Sequence, residues 1–109
     1  MRAGKLRHFI DFEELSVTMD SDGAQVEEWI PVYERVPASI EPMSGRELIA
    51  ASAVNAKSTT RIECRFLPNV DPAWRIRHRE ILFNIDSVMP DEWGNQQLKL
   101  LCHSGTNQG

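Results

Sequence analysis

Apolar side chains in this sequence recur at every second residue, in short runs divided by turn-forming residues. That period leaves little room for anything but a mainly β fold. It is cleanest from Thr59 to Phe66, where Thr60, Ile62, Cys64 and Phe66 alternate with Arg61, Glu63 and Arg65. A first strand is predicted from Lys5 to Val17, with Leu6, His8, Ile10 and Phe12 on one face and Phe9 intruding on the other. Asp20-Ser21-Asp22-Gly23 then reads as the turn of a hairpin, because Asp bonds nearby backbone and Gly supplies positive φ. A second strand region runs from Val26 to Glu41. In it Val32, Glu34 and Val36 alternate against Tyr33 and Arg35, and Ala38 and Ile40 extend one face. Pro31 marks a bulge, an edge or a bend there, since it donates no ladder hydrogen bond. Trp74, Ile76 and His78 form a further strand, Arg79-Glu80 a tight reversal, and Ile81, Phe83 and Ile85 the inner face of the return. Met89 to Gln96 reads as a turn region, Leu98, Leu100 and Cys102 as the last strand, and 104–109 as a mobile tail. Five or six short strands favour a barrel or sandwich over a parallel sheet.

One segment breaks the pattern. Ser44-Gly45-Arg46-Glu47 has the spacing of a capping box, and the Gly- and Pro-free run Leu48 to Val54 follows. This predicts a helical insert between the second and third strand regions, within about 42–58. Its apolar stripe is weak, and about three turns are marginal without tertiary support.

At 109 residues the chain fits a single domain, 1–109, and its 41% hydrophobic and 26% charged content is that of a globular protein. A net charge of −4 gives little non-specific attraction to nucleic acid. Cys64 and Cys102 lie in strand-like runs and are expected to be reduced, buried thiols rather than a disulfide. No apolar leader opens the sequence and no run approaches the roughly 20 apolar residues of a membrane-spanning helix. A soluble protein, cytosolic when made and without a membrane partner, is expected.

The residues that carry chemistry are scattered. His8, His78 and His103 lack ligand spacing, so neither a metal nor another cofactor is expected. The acids at Asp11, Glu13, Glu14, Asp20, Asp22, Asp91 and Glu92 show no facing pair, and neither cysteine has a nucleophile context. No Gly-rich phosphate loop is present. A non-catalytic protein is expected. Arg61, Arg65, Arg75, Arg77 and Arg79 occupy alternating outward positions of two neighbouring strand candidates. Cross-strand pairing with Glu63 and Glu80, or with a neighbouring subunit's acids, explains them most economically, and a basic wall that passes DNA without reading it is the alternative.

Taken in order, the segments resemble the tailed-phage head–tail joining proteins, the head completion, connector or stopper family. The resemblance rests on Gly4-Lys5-Leu6-Arg7-His8 and on Trp29 with Val36, Ala38 and Ile40. It continues through Glu41-Pro42-Met43-Ser44-Gly45-Arg46-Glu47, Thr59-Thr60-Arg61-Ile62, Arg65-Phe66, Arg75-Ile76 and Phe83-Asn84-Ile85. Val88 and Leu98-Lys99-Leu100-Leu101-Cys102 complete it. Phe9, the Arg79-Glu80 reversal and Trp93-Gly94 depart from the pattern. The resemblance implies a small antiparallel β-barrel that assembles into a ring between the portal or adaptor protein and the tail-completion protein. Such a ring keeps packaged DNA in the head without reading its sequence. It implies a place in the virion at the head–tail interface, after assembly in the host bacterial cytoplasm. It also makes the insert a channel or ring contact, with Met43, Ser44, Arg46, Glu47, Leu48 and Ile49 as candidates. A tail-completion or terminator ring and a small β-barrel nucleic-acid-binding module are the alternatives.

Overall fold

The computed structural model describes residues 6–43, 45, 58–90 and 96–104. Six strands follow one another: β1 (His8–Met19), β2 (Gln25–Pro42), β3 (Thr60–Arg65), β4 (Arg75–His78), β5 (Ile81–Pro90) and β6 (Gln97–Ser104). They close into a barrel in the order β1-β2-β3-β6-β5-β4, every pairing antiparallel. Closure removes the exposed sheet edges that an open sheet of this size would carry. The alternation predicted from sequence fills the interior: Ile10 and Phe12 from β1, Ile62 and Cys64 from β3, Leu98, Leu100 and Cys102 from β6. Tyr33 and Trp74 stand edge-on to Phe12 and to each other at one side of this core, with ring centroids 6.2–6.5 Å apart.

The first hairpin forms where its turn residues dictate. Asp20 accepts from the amides of Asp22 and Ala24, both at 2.9 Å, and Gly23 takes a φ of 84°. The strands on either side outrun the prediction, since β1 continues to Met19 and β2 begins at Gln25.

β2 departs from simple alternation. Ile10 faces Val36, Phe12 faces Tyr33 and Glu13 faces Pro31, so β2 carries an extra residue at each of two steps. The first bulge leaves Arg35 at a φ of 53°, its amide donating to Asp11 Oδ1 at 2.8 Å. Each bulge reverses the inward and outward sense of the strand. The face expected to contain Val32, Glu34 and Val36 is therefore broken: Tyr33 packs on the core, and Val32 and Glu34 are exposed.

Other boundaries shift by a residue or two. Met89 and Pro90 extend β5 into the expected turn region, and Ser104 closes β6 opposite Phe83 instead of starting a tail. Phe66, expected inside, is exposed just beyond β3. The predicted helix, its capping box from Ser44 to Glu47, and 105–109 lie outside the described residues apart from Gly45.

Candidate functional site

The connection from β2 to β3 leaves and re-enters the barrel at one place, and the structure shows how its two feet are held. The Met43 amide donates to the Thr59 carbonyl at 3.0 Å, and the Thr59 amide donates to the Cys102 carbonyl at 2.9 Å. Together these bonds tie the outgoing foot to the returning one and the returning one to β6. Met43 is 7% exposed and packs on Leu101, which points out of the barrel between inward Leu100 and Cys102. Met43 therefore anchors the outgoing foot of the connection to its own barrel. Ser44, Arg46, Glu47, Leu48 and Ile49 lie outside the described residues.

The returning foot carries a polar network that sequence reasoning missed. The Ser58 hydroxyl donates to Asp86 Oδ2 at 2.7 Å, His103 Nδ1 lies 2.9 Å from Asp86 Oδ1, and Asn84 Nδ2 lies 3.2 Å from His103 Nε2. Asp86 is the extra residue of a bulge between the Ile85–Cys102 and Ser87–Leu101 pairs, which frees its carboxylate to reach both neighbours. The one sign of it in the sequence is a slip of phase, in which Ile81, Phe83 and Ile85 resume at Val88 rather than at Ser87. Serine, histidine and aspartate here do not form a nucleophile relay. A relay needs the serine on the imidazole, whereas Ser58 bonds the carboxylate and Asn84 occupies the outer imidazole nitrogen. Its geometry suits holding Ser58 in place. Among the described residues no group of three His, Cys, Asp or Glu side chains is placed to hold a metal ion.

The five arginines do not form one stripe. β3 and β4 are separated by two strands in either direction around the barrel, so Arg61 and Arg65 lie on the wall opposite Arg75 and Arg77. Strands close in sequence are not neighbours in this barrel, so the expected stripe is split, while the expected pairing of Arg61 with Glu63 is present. Arg61 pairs with Glu41 at 3.4 Å and with Glu63 at 3.9 Å, and Arg65 is exposed. Arg75 and Arg77 converge on Glu13, with Nε–Oε distances of 2.7 and 3.1 Å. The Trp29 ring covers Arg75, with the guanidinium carbon 4.3 Å from the ring centroid. Glu13 and Arg75 form a buried ion pair on the outer face of the barrel, which fits a structural brace better than a phosphate contact.

The two thiols are inert. Burial pushes Cys64 up to about 12 and, with the Asp86 carboxylate as a lesser cause, raises Cys102 further. Cys64 faces Leu98 and Cys102 faces Thr60, so the two are four residues apart along the β3–β6 ladder. That spacing is about 13 Å, beyond the reach of a disulfide.

Comparison with known proteins matches this framework along its length. A family model described as phage head completion protein matches residues 1–105. Head completion protein gp7 of Enterobacteria phage HK97 is 25% identical over 113 aligned positions, covering 99% of this chain and all of that protein. The solution structure of protein SF1141 from Shigella flexneri 2a superposes with a TM-score of 0.80 at 28% identity, covering 99% of this chain and 100% of that one. A chain of the native gene transfer agent virion shares the fold, with a TM-score of 0.58 at 18% identity over 94% of this chain and 97% of that one. The closed six-strand barrel and a family match along nearly all of the sequence agree: the chain belongs to the phage head completion protein family.

Proposed function

We propose that this protein is a structural, non-catalytic ring component of a phage or prophage particle. It joins the portal side of the head to the tail and retains the packaged DNA until the tail is in place. The observation that carries this reading is the whole-length match to head completion proteins. The pinned β2–β3 connection supports it, because a segment held at both feet can present its middle to neighbours while the barrel stays rigid. Ser44, Arg46, Glu47, Leu48 and Ile49 are the residues proposed to meet the adjoining ring or the channel. DNA would pass without sequence readout, since Arg75 and Arg77 are engaged by Glu13.

Electron microscopy of particles assembled without the protein tests the role. DNA-depleted heads without tails are the expected result, whereas full heads carrying tails of aberrant length would replace this reading with that of a tail terminator. Changing Leu48 and Ile49 together to Ser is expected to abolish DNA retention while leaving the melting temperature within a few degrees. An unfolded variant would assign both residues to the core instead.

A further inference from the structure

The first hairpin leaves the barrel as an arm. From Glu14 to Met19 and from Gln25 to Val32, β1 and β2 pair only with each other, so both outer edges of this ribbon are open. A two-stranded ribbon alone in water is marginal, and an apolar open edge is a template for pairing. The arm carries six of the ten large hydrophobic residues exposed among the described residues: Leu15, Val17, Met19, Val26, Ile30 and Val32. Its charge is equally one-sided. Between residues 14 and 32 stand Glu14, Asp20, Asp22, Glu27 and Glu28, with no Lys, Arg or His. The arm thus holds −5 of a net −4, and the rest of the chain sums to +1.

A surface of complementary character lies at the other end of β1. Phe9 is 51% exposed, faces the exposed Pro37 in the ladder, and lies under Arg35, whose guanidinium carbon is 4.7 Å from the ring centroid. His78 Nδ1 lies 3.0 Å from the Phe9 carbonyl, which brings the exposed Arg79 turn beside the same patch. Phe9 and Met19 are ten residues apart on one strand, about 33 Å, so an arm cannot reach the patch of its own chain.

We propose that the arm of one copy docks on the Phe9–Pro37 patch of the next, placing Asp22 and Glu27 near Arg35 and Arg79. The occupant is a second copy because this chain carries both complementary surfaces. Pairing of two arms is opposed by −5 on each. A contact between two different surfaces is heterologous, the kind that closes into rings. The inference rests on the ring reading above and names its contact.

The test uses the full chain with Ala24→Cys and Pro37→Cys made as separate proteins and mixed at about 1 mM, a concentration that populates even millimolar contacts. The native thiols are buried, so a short bismaleimide reports only the new ones. The expected result is an interchain crosslink in the mixture and not in either protein alone. Glu27→Lys should lower its yield about tenfold, and Arg35→Glu in the other copy should restore it. Melting temperatures confirm that each variant folds. Rings visible by electron microscopy without the crosslink overturn the arm contact and leave the ring reading standing. An Ala24→Cys crosslink to itself overturns the proposal in favour of paired arms. Absence of both rings and crosslink counts against the contact and the ring together.

Discussion

At Phe12 and Glu13 two adjacent residues of one strand are both buried, which alternation forbids on a half-solvated sheet. Phe12 fills the barrel, while Glu13 points outward and is covered by the arginines it binds and by the surroundings of Trp29. Breaking a buried pair from one side strands the remaining charge. Glu13→Leu is therefore expected to cost about 3–5 kcal/mol in urea denaturation, and the double change Glu13→Leu with Arg75→Met should recover most of it. Arg79 sits in the β4–β5 reversal at a φ of 56°, where an L side chain is strained, and Arg79→Gly should stabilise the fold by about 1 kcal/mol. The buried thiols make a third prediction. An unfolded chain releases their protons near 9.0, whereas folded Cys64 holds its proton to about 12. Stability from this source is complete below pH 9 and declines as the pH rises towards 12, by about 1.4 kcal/mol per pH unit for each thiol. The difference in slope between the wild type and Cys64→Ala, read from urea midpoints across that window, measures it.

The hairpin arm and the feet of the β2–β3 connection are elements whose stability differs from that of the barrel. Gly23 closes the arm at a φ of 84°, with nothing within 4 Å of where a Cβ would stand. Gly23→Ala therefore costs only backbone strain, about 1 kcal/mol. Because the arm between Ser16 and Glu28 pairs only with itself, that loss should appear as faster amide exchange across residues 16–28 with the barrel amides unchanged. Asp86 acts on the other element. Asp86→Ala leaves Ser58 and His103 without their shared acceptor and is expected to cost about 1–3 kcal/mol. Limited proteolysis between 44 and 58 should quicken at the same time. The strands themselves were readable wherever turn chemistry and period agreed, as at Asp20–Gly23 and Thr60–Arg65. They were misread where a bulge reversed the phase, because an extra residue in β2 or β5 is specified by the partner strand.

For the whole molecule, the length of the β1–β2 hairpin carries its tip well away from the barrel core. Its base, with Phe12, belongs to the core, and its tip, with Met19, is exposed. Phe12→Ala should lower barrel stability by about 3–5 kcal/mol, the cost of a fully buried aromatic, whereas Met19→Ala at 69% exposure should leave it nearly unchanged. Thermal unfolding followed by circular dichroism separates the two outcomes.

The sequence by itself determined the class of fold, the inward residues of β3 and β6, the first turn and the family, since all of these rest on local period, local turn chemistry or the order of short segments. Only the tertiary structure decided which strands are neighbours. Barrel closure puts β3 between β2 and β6 and β4 between β1 and β5, and with that it dissolved the arginine stripe and matched Glu13 to Arg75. It also decided that Met43 grips Leu101 and that Asp86 holds Ser58. Glu13 and Arg75 are 62 residues apart, and Ser58 and Asp86 are 28 apart. No local pattern encodes contacts across such separations, because only the closed ladder of backbone hydrogen bonds sets them in register.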